Sequence, residues 1–378
     1  MSKLKVAIVH DYIKEYGGAE RVLEALCEMY PDAPIYTAFY KKDSDAWKRF
    51  KDRKIIASWV QSIPFFVTKL HSPLRFLAPQ IWESFNFSAY DVVIGSASWY
   101  VTKGFQKPDK TIEICYCHTP PRWLYGYRTS IEWQRFWPIK LYGLIVGHFM
   151  RQYDFNAAQK VDYFIANSDE VKARIKKFYR RDAQVIYPPV SLPKIPQVKK
   201  EDYYFVVARI VGGKGLDLAV EAAAKTGIKL KIAGAPAGYY TEHKKLAKMA
   251  PENVEFLGHV SDEELVKLYA GAKAFFALAA DEDFGITPVE AMLCGTPVIA
   301  FHGGGYKETV LDGKTGLFFK QLTVESLVDA IKKFEMLKQV QHDKMQSACK
   351  KQAEKFSKER FKKEMRAFVE SKVKEKNA

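Results

Sequence analysis

A chain of 378 residues is longer than one hydrophobic core usually serves, so two domains are expected. With 48% hydrophobic and 27% charged residues it reads as a globular protein, and no apolar run approaches the ~18 residues of a transmembrane helix. Its net charge of +15, from 59 Lys and Arg against 44 Asp and Glu, calls for an anionic partner or surface.

The start, MSKLKVAIVHDY, enters a strand-like run at once, without the apolar region and cleavage site of a signal peptide. Five cysteines (Cys27, Cys115, Cys117, Cys294 and Cys349) sit in apolar patterns. Cys115 and Cys117 are two apart, wrong for a C-x-x-C redox or zinc pair, so a reduced, cytoplasmic setting is expected. All seven tryptophans, Trp47 to Trp137, lie in the first half among basic residues. That mixture suits peripheral contact with an anionic membrane on its inner face, where each Lys or Arg contributes about 1 kcal/mol. Nucleic acid and plain solubility charge are the other readings.

Lys5–Val9 is a nearly continuous apolar run, as in a buried parallel strand. His10-Asp11-Tyr12 follows, then Gly17-Gly18-Ala19-Glu20-Arg21, then a helical pattern through Val22, Leu23, Leu26 and Met29. Strand, glycine loop and helix make an α/β nucleotide-type unit, in which paired glycines let backbone approach a ligand. The order is not G-x-G-x-x-G, so dinucleotide binding is unsupported. Residues 35–39 and 91–95 read as strands, and 63–87 as a pair of short amphipathic helices facing a membrane or packed as core. The strand near 113–117 ends in His118-Thr119-Pro120-Pro121-Arg122, which places His118 and Arg122 at the sheet edge where ligands bind in open α/β folds. Residues 123–155 read as a mostly helical excursion, 161–166 as a strand capped onward by Asn167-Ser168-Asp169, and 185–187 as a closing strand.

Prolines at 188, 189, 193 and 196 mark a stiff linker over 188–202. The α/β alternation then restarts: strands at 204–208, 230–233, 254–257, 274–277, 298–300 and 317–319, with helices at 217–224, 262–270 and 306–310 between them. Residues 326–376 are Lys/Glu-rich and helical. The loop Arg209–Leu216 holds two cations, Arg209 and Lys214, around glycines. A guanidinium beside an ammonium and open backbone N–H groups suits a diphosphate, although this is not a P-loop.

The stretch Asp281–Thr296, DEDFGITPVEAMLCGT, constrains function most. Pro288 is comfortable only in a first helical turn, so a loop is expected to end at Thr287 and a helix to run from Pro288 to about Leu293. Glu290 would then project from the first turn, with Glu282 on the loop before it. The N–H groups of Gly285, Ile286 and Thr287 would form an anion cradle. An anion site beside two acceptors fits a ligand that is part phosphate and part polyol, such as a nucleotide sugar. A glycoside-hydrolase acid/base pair explains the carboxylates but not the cations and the anion turn.

Together these residues resemble the retaining GT-B glycosyltransferases of glycosyltransferase family 4. The matches are Gly17-Gly18-Ala19-Glu20, His118-Thr119-Pro120, Arg209 with Lys214-Gly215, Glu282 through Glu290-Ala291, Gly295-Thr296-Pro297-Val298-Ile299 and Gly303-Gly304, in order along almost the whole chain. The resemblance implies an α/β fold of two Rossmann-like domains facing across a cleft. An acceptor domain would span 1–187, a nucleotide-sugar domain 203–345, and a C-terminal helix at 346–378 would return to the first domain. It implies that Arg209 and Lys214 hold the diphosphate and offset leaving-group charge. Gly285, Ile286 and Thr287 would donate to phosphate and sugar, Glu282 accept from the sugar, and Glu290 accept from the ribose. His118 would attend the reacting sugar and Gly17 and Gly18 close over the diphosphate, with Asp11 and Arg122 in secondary or acceptor roles. Transfer with retention and without metal or other cofactor is implied, with GDP-mannose as first donor and a UDP-sugar as second. The implied acceptor is a glycan or polyprenyl-linked glycan of surface polysaccharide, and the H-T-P-P-R and A-N-S…Y-P-P-V forms look closest to members that build bacterial surface polysaccharides, several of them mannosyltransferases. A basic nucleic-acid-binding protein is the alternative from another class, without any reader motif.

Overall fold

The computed structural model describes residues 4–127, 137–211, 213–235 and 246–377. Part of the expected excursion at 123–155 and Gly212 of the second glycine loop lie outside the described residues. The described residues divide into two compact units, one holding 4–127, 137–189 and 358–377, the other 190–211, 213–235 and 246–357.

In the first unit, β1 (Val6–His10), β2 (Ile35–Thr37), β3 (Ile55–Ala57), β4 (Val92–Ala97), β5 (Ile112–Cys117), β6 (Tyr163–Ala166) and β7 (Ala183–Val185) form one parallel sheet in the order β3-β2-β1-β4-β5-β6-β7. Burial on both faces explains why β1, β4 and β5 read as near-continuous apolar runs. Helices α1 (Gly18–Met29), α2 (Asp45–Phe50), α3 (Ala78–Glu83), α4 (Trp137–Lys160) and α5 (Asp169–Tyr179) complete the alternation. Ser168 caps α5 by accepting from the Val171 N–H at 3.0 Å, as its Asn-Ser-Asp lead predicts. The segment expected as two amphipathic helices is a string of short turns: 3₁₀ at Trp59–Ser62 and Arg75–Leu77, a π-helical turn at Phe66–Leu70, then α3. Pro64, Pro73 and Pro79 interrupt any longer helix there.

In the second unit, β8 (Tyr204–Val207), β9 (Leu230–Ala233), β10 (Val254–Gly258), β11 (Ala274–Ala277), β12 (Val298–Phe301) and β13 (Gly316–Phe319) form a parallel sheet ordered β10-β9-β8-β11-β12-β13. Its helices include α6 (Leu216–Thr226), α7 (Asp262–Gly271), α8 (Ile286–Leu293), α9 (Tyr306–Thr309), α10 (Val324–Glu335) and α11 (Gln339–Glu354).

Two expectations change. Helix α8 begins at Ile286, two residues before Pro288, with Gly285 as its N-cap. Proline sits third in the helix, where its missing N–H is one the first turn would leave unbonded anyway. The C-terminal return also begins at Lys358 and not at 346: α11 packs against α8 of the second unit, and α12 (Lys358–Asn377) against α1 of the first. Phe361, Met365, Phe368 and Val369 recur at helical spacing on α12 and are buried in one core with Val22, Leu23 and Leu26.

Candidate functional site

Both sheets reverse their winding at one place, between β1 and β4 in the first unit and between β8 and β11 in the second. Ligands of open α/β sheets bind at the carboxyl ends of the strands that flank such a switch. The residues singled out from sequence gather at these two edges.

In the second unit the loop after β8 carries Arg209 and Lys214, and the loop after β11 carries Glu282. The Lys214 ammonium donates to Glu282 Oε2 at 3.1 Å, tying the two loops together across the switch. The pair remains in reach of solvent, with side chains 30% and 22% exposed, and Arg209 is exposed. The triple glycine after β12 shapes the same place. Gly305 N–H donates to the Glu282 carbonyl at 2.9 Å, and a Cβ on Gly304 (φ +53°) would stand 2.3 Å from that oxygen. Gly285 has φ +89°, and its Cβ would lie 2.8 Å from the Tyr306 ring, so only glycine lets the loop turn into α8. Ile286 and Thr287 occupy the first turn of α8, half-buried, with no side-chain cap at that end. Backbone N–H groups and the positive end of the helix dipole are therefore presented beside the Lys214–Glu282 pair.

Glu290 differs from its expected setting. Because α8 starts early, it is the fifth residue of the helix and not part of a first turn from Pro288. It is 2% exposed, and its Oε2 accepts from the Tyr269 hydroxyl at 2.8 Å. Tyr269 carries no motif and was not visible in the sequence. The sequence also holds a D-x-D triplet, Asp281-Glu282-Asp283, four residues after β11 ends. Among the described residues, no group of three or more His, Cys, Asp or Glu is arranged to hold a metal.

In the first unit, His10 ends β1, Ser96 lies in β4 and His118 follows β5 directly. His10 pairs in register with Ser96 and Ser96 with Tyr116, so His118, two beyond Tyr116, falls on their side of the sheet. The result is a chain of contacts: His118 Nε2 to Ser96 Oγ at 2.8 Å, Ser96 Oγ to His10 Nδ1 at 3.0 Å, and His10 Nε2 to Glu20 Oε1 at 3.4 Å. Glu20 Oε2 also accepts the Gly17 N–H at 2.9 Å, closing the cap of α1. Burial, reinforced by His10, pushes the His118 imidazole down to about 3, so it is neutral at ordinary pH. Gly17 has extended backbone (φ −150°), and among the described residues a Cβ there would meet only Glu20 Oε2, at 3.4 Å. That packing gives no reason for glycine at 17. Gly18 opens α1 beside it. Asp11 is buried and organises the loop after β4, accepting from the backbone N–H groups of Ser98 and Trp99 and the hydroxyls of Ser98 and Thr102. Arg122 is half-buried in the turn after His118.

Residues 16–193 match the model described as Glycosyltransferase Family 4, and residues 191–356 the one described as Glycosyl transferases group 1. Among curated proteins, the D-inositol 3-phosphate glycosyltransferase of Mycobacterium avium is 30% identical over 194 residues, 46% of each chain. That of Mycolicibacterium smegmatis is 38% identical over 117 residues, 29% of this chain and 27% of that protein. The chain thus spans half or less of the length of the curated relatives it matches. Among solved structures, Anabaena HepE in complex with UDP and glucose superposes with a TM-score of 0.72 at 17% identity, covering 98% of this chain and 100% of that one.

Proposed function

From a chain of GT-B fold that joins a glycosyltransferase family 4 domain to a group 1 glycosyl transferase domain, we infer that this protein transfers a hexose from a nucleoside diphosphate sugar, with retention and without metal. The observation that carries the reading is the Lys214–Glu282 pair at the β8/β11 switch, beside the N-terminus of α8. A donor diphosphate would take Lys214 and Arg209 as counter-charges, and the N–H groups of Gly285, Ile286 and Thr287 as neutral donors. As the sugar–phosphate bond breaks, charge grows on the phosphate, and fixed cations are worth most at that moment. Glu282, released from Lys214, would accept from a sugar hydroxyl. Glu290, held by Tyr269, would face the ribose, and His118 the reacting sugar. Gly17 would close on the diphosphate; the lack of a packing reason for glycine there supports this. Asp11 acts through the loop it orders, and Arg122 is assigned to the acceptor.

GDP-mannose is the first donor, on the resemblance of His118–Arg122, Ala166–Ser168 and Tyr187–Val190 to surface-polysaccharide transferases, several of which are mannosyltransferases. UDP-glucose is the second, on the UDP and glucose of the HepE complex. The acceptor proposed is a polyprenyl-linked glycan at an anionic membrane. The first half of α4 supports that setting: Trp137, Leu141, Leu144, Ile145 and Phe149 are exposed, from 49% for Leu141 to 77% for Trp137. The Tyr142 hydroxyl donates to the Pro73 carbonyl, which joins this face to the turns around Phe65, itself 69% exposed. Residues 53–82 carry Arg53, Lys54, Lys69 and Arg75 and no carboxylate, and 137–153 carry Lys140 and Arg151 and none. An apolar face flanked by these cations is complementary to anionic lipid.

The test is nucleotide release from a panel of GDP- and UDP-hexoses, with and without polyprenyl-diphosphate glycan in vesicles containing phosphatidylglycerol. One donor should be turned over only with acceptor. Failure of every sugar nucleotide to bind at millimolar concentration overturns the reading. Flotation with the same vesicles should be lost in Leu144→Glu/Phe149→Glu; unchanged flotation would remove the membrane face.

A further inference from the structure

The chain from Glu20 to His118 has a direction. An ionised carboxylate can only accept hydrogen bonds, and Glu20 already receives the Gly17 N–H on Oε2. Its Oε1 therefore takes a proton from His10 Nε2, at 3.4 Å. In its neutral form, a His10 ring that donates from Nε2 carries a bare Nδ1 and accepts from the hydroxyl facing it at 3.0 Å, that of Ser96, whereas an imidazolium would donate there and reverse the order. With its proton committed to His10, Ser96 Oγ has lone pairs left for His118 Nε2 at 2.8 Å, which must then be the N–H of that ring. Ser96 is fully buried and His10 is 1% exposed, so the chain of contacts is sealed from solvent inside the protein.

We infer that Glu20, His10 and Ser96 form a positioning relay that holds His118 in its Nε2–H tautomer and presents Nδ1 as an acceptor for a hydroxyl of the donor sugar. This rests on the transferase reading for the identity of the hydroxyl, but not for the tautomer. Glu20 of the Gly-Gly-Ala-Glu motif thereby gains a role, because the loop at Gly17 and the ring at His118 are connected through four consecutive contacts. The relay also predicts what the sugar must supply. A bare Nδ1 takes an O–H and cannot donate to a ring oxygen or a phosphate, so a deoxy-sugar lacking the contacted hydroxyl should be discriminated against, because the site's acceptor would be left unpaired.

The first measurement needs no substrate. In protein labelled with ¹⁵N-histidine, long-range ¹H–¹⁵N correlation should show His118, assigned by its loss in His118→Gln, as a neutral ring protonated at Nε2. Finding the proton on Nδ1 overturns the relay. Ser96→Ala should shift that ring toward the other tautomer and lower kcat about tenfold or more, with donor KM less affected; Ser96→Thr, which keeps the hydroxyl, should restore both. A Ser96→Ala protein with unchanged tautomer and turnover would also overturn it. If wild type turned over no sugar nucleotide, the transferase reading would fall, while the tautomer measurement would still decide the relay.

Discussion

Lys214 and Glu282 were legible from sequence because each stands next to a glycine turn that only backbone close approach explains, and the structure brings them within 3.1 Å. Removing the cation in Lys214→Ala should lower turnover at saturating donor by about a hundredfold, as for other groups that meet developing charge, with little change in KM. A rise in KM alone would show that Lys214 only binds. The relay behind His118 was not legible, since His10, Ser96 and His118 are brought together by strand register and share no spacing in the chain. Nor was Glu113, fully buried on β5, where its carboxylate accepts the N–H groups of Gly104 at 2.6 Å and Phe105 at 3.0 Å. Burial outweighs those two bonds and raises its pKa from 4.5 to about 7. A carboxyl whose folded pKa lies above its unfolded value binds its proton more tightly when folded. Its contribution is therefore complete below about 4.5 and lost as pH rises through 7, a span worth roughly 3 kcal/mol. His118 and His71 have the opposite sign, because burial lowers them to about 3 and about 4, so stability falls as pH drops below 6.5. Urea unfolding across pH 5 to 8 should lose its Glu113-dependent decline in Glu113→Gln. An unchanged slope would refute the burial account.

At the level of elements, parallel strands could be read because double burial makes them continuous apolar runs bounded by turns. Short elements leave no such pattern: α2 and β3 are six and three residues long, too short for a period to show. The aromatic segment around Phe65 reads as helical by composition, but its prolines, and Phe65 itself at φ +60°, break it into single turns. Helix α4 shows two settings in one element. Its first half is exposed and apolar, whereas its second half buries Asp154 completely. That carboxylate pairs with the buried Lys103 ammonium and accepts from the Tyr125 hydroxyl at 2.6 Å, and Lys103 also lies over the Tyr179 ring. Asp154→Ala would strand a charge with no water to receive it, and should cost about 3–5 kcal/mol of stability. The double variant Asp154→Leu/Lys103→Met should recover most of that loss. A single variant as stable as wild type in urea melts would refute the pairing.

At the level of the molecule, the chain leaves the first unit near Pro189, completes the second, and returns to the first at Lys358. Composition announced the outgoing crossing through its prolines. The returning one has no such marker, because α11 and α12 are both polar helices joined without proline or glycine. The first unit's core therefore depends on the helix that returns from the second unit, and this can be measured selectively. Every tryptophan, Trp47 to Trp137, precedes residue 190, and Trp82 is 1% exposed, so intrinsic fluorescence reports on the first unit. Phe361 is fully buried on α12, edge-on to Tyr116 of β5 at 5.8 Å between ring centres. Phe361→Ala opens a cavity in that core and should cost about 3–5 kcal/mol, which moves the fluorescence transition to lower denaturant. Tyr116 stands beside Ser96 in the sheet and packs against the His118 ring at 5.2 Å, so the same substitution should loosen the edge that carries the relay. A fluorescence midpoint that stays in place would show that the first unit is complete without its returning helix.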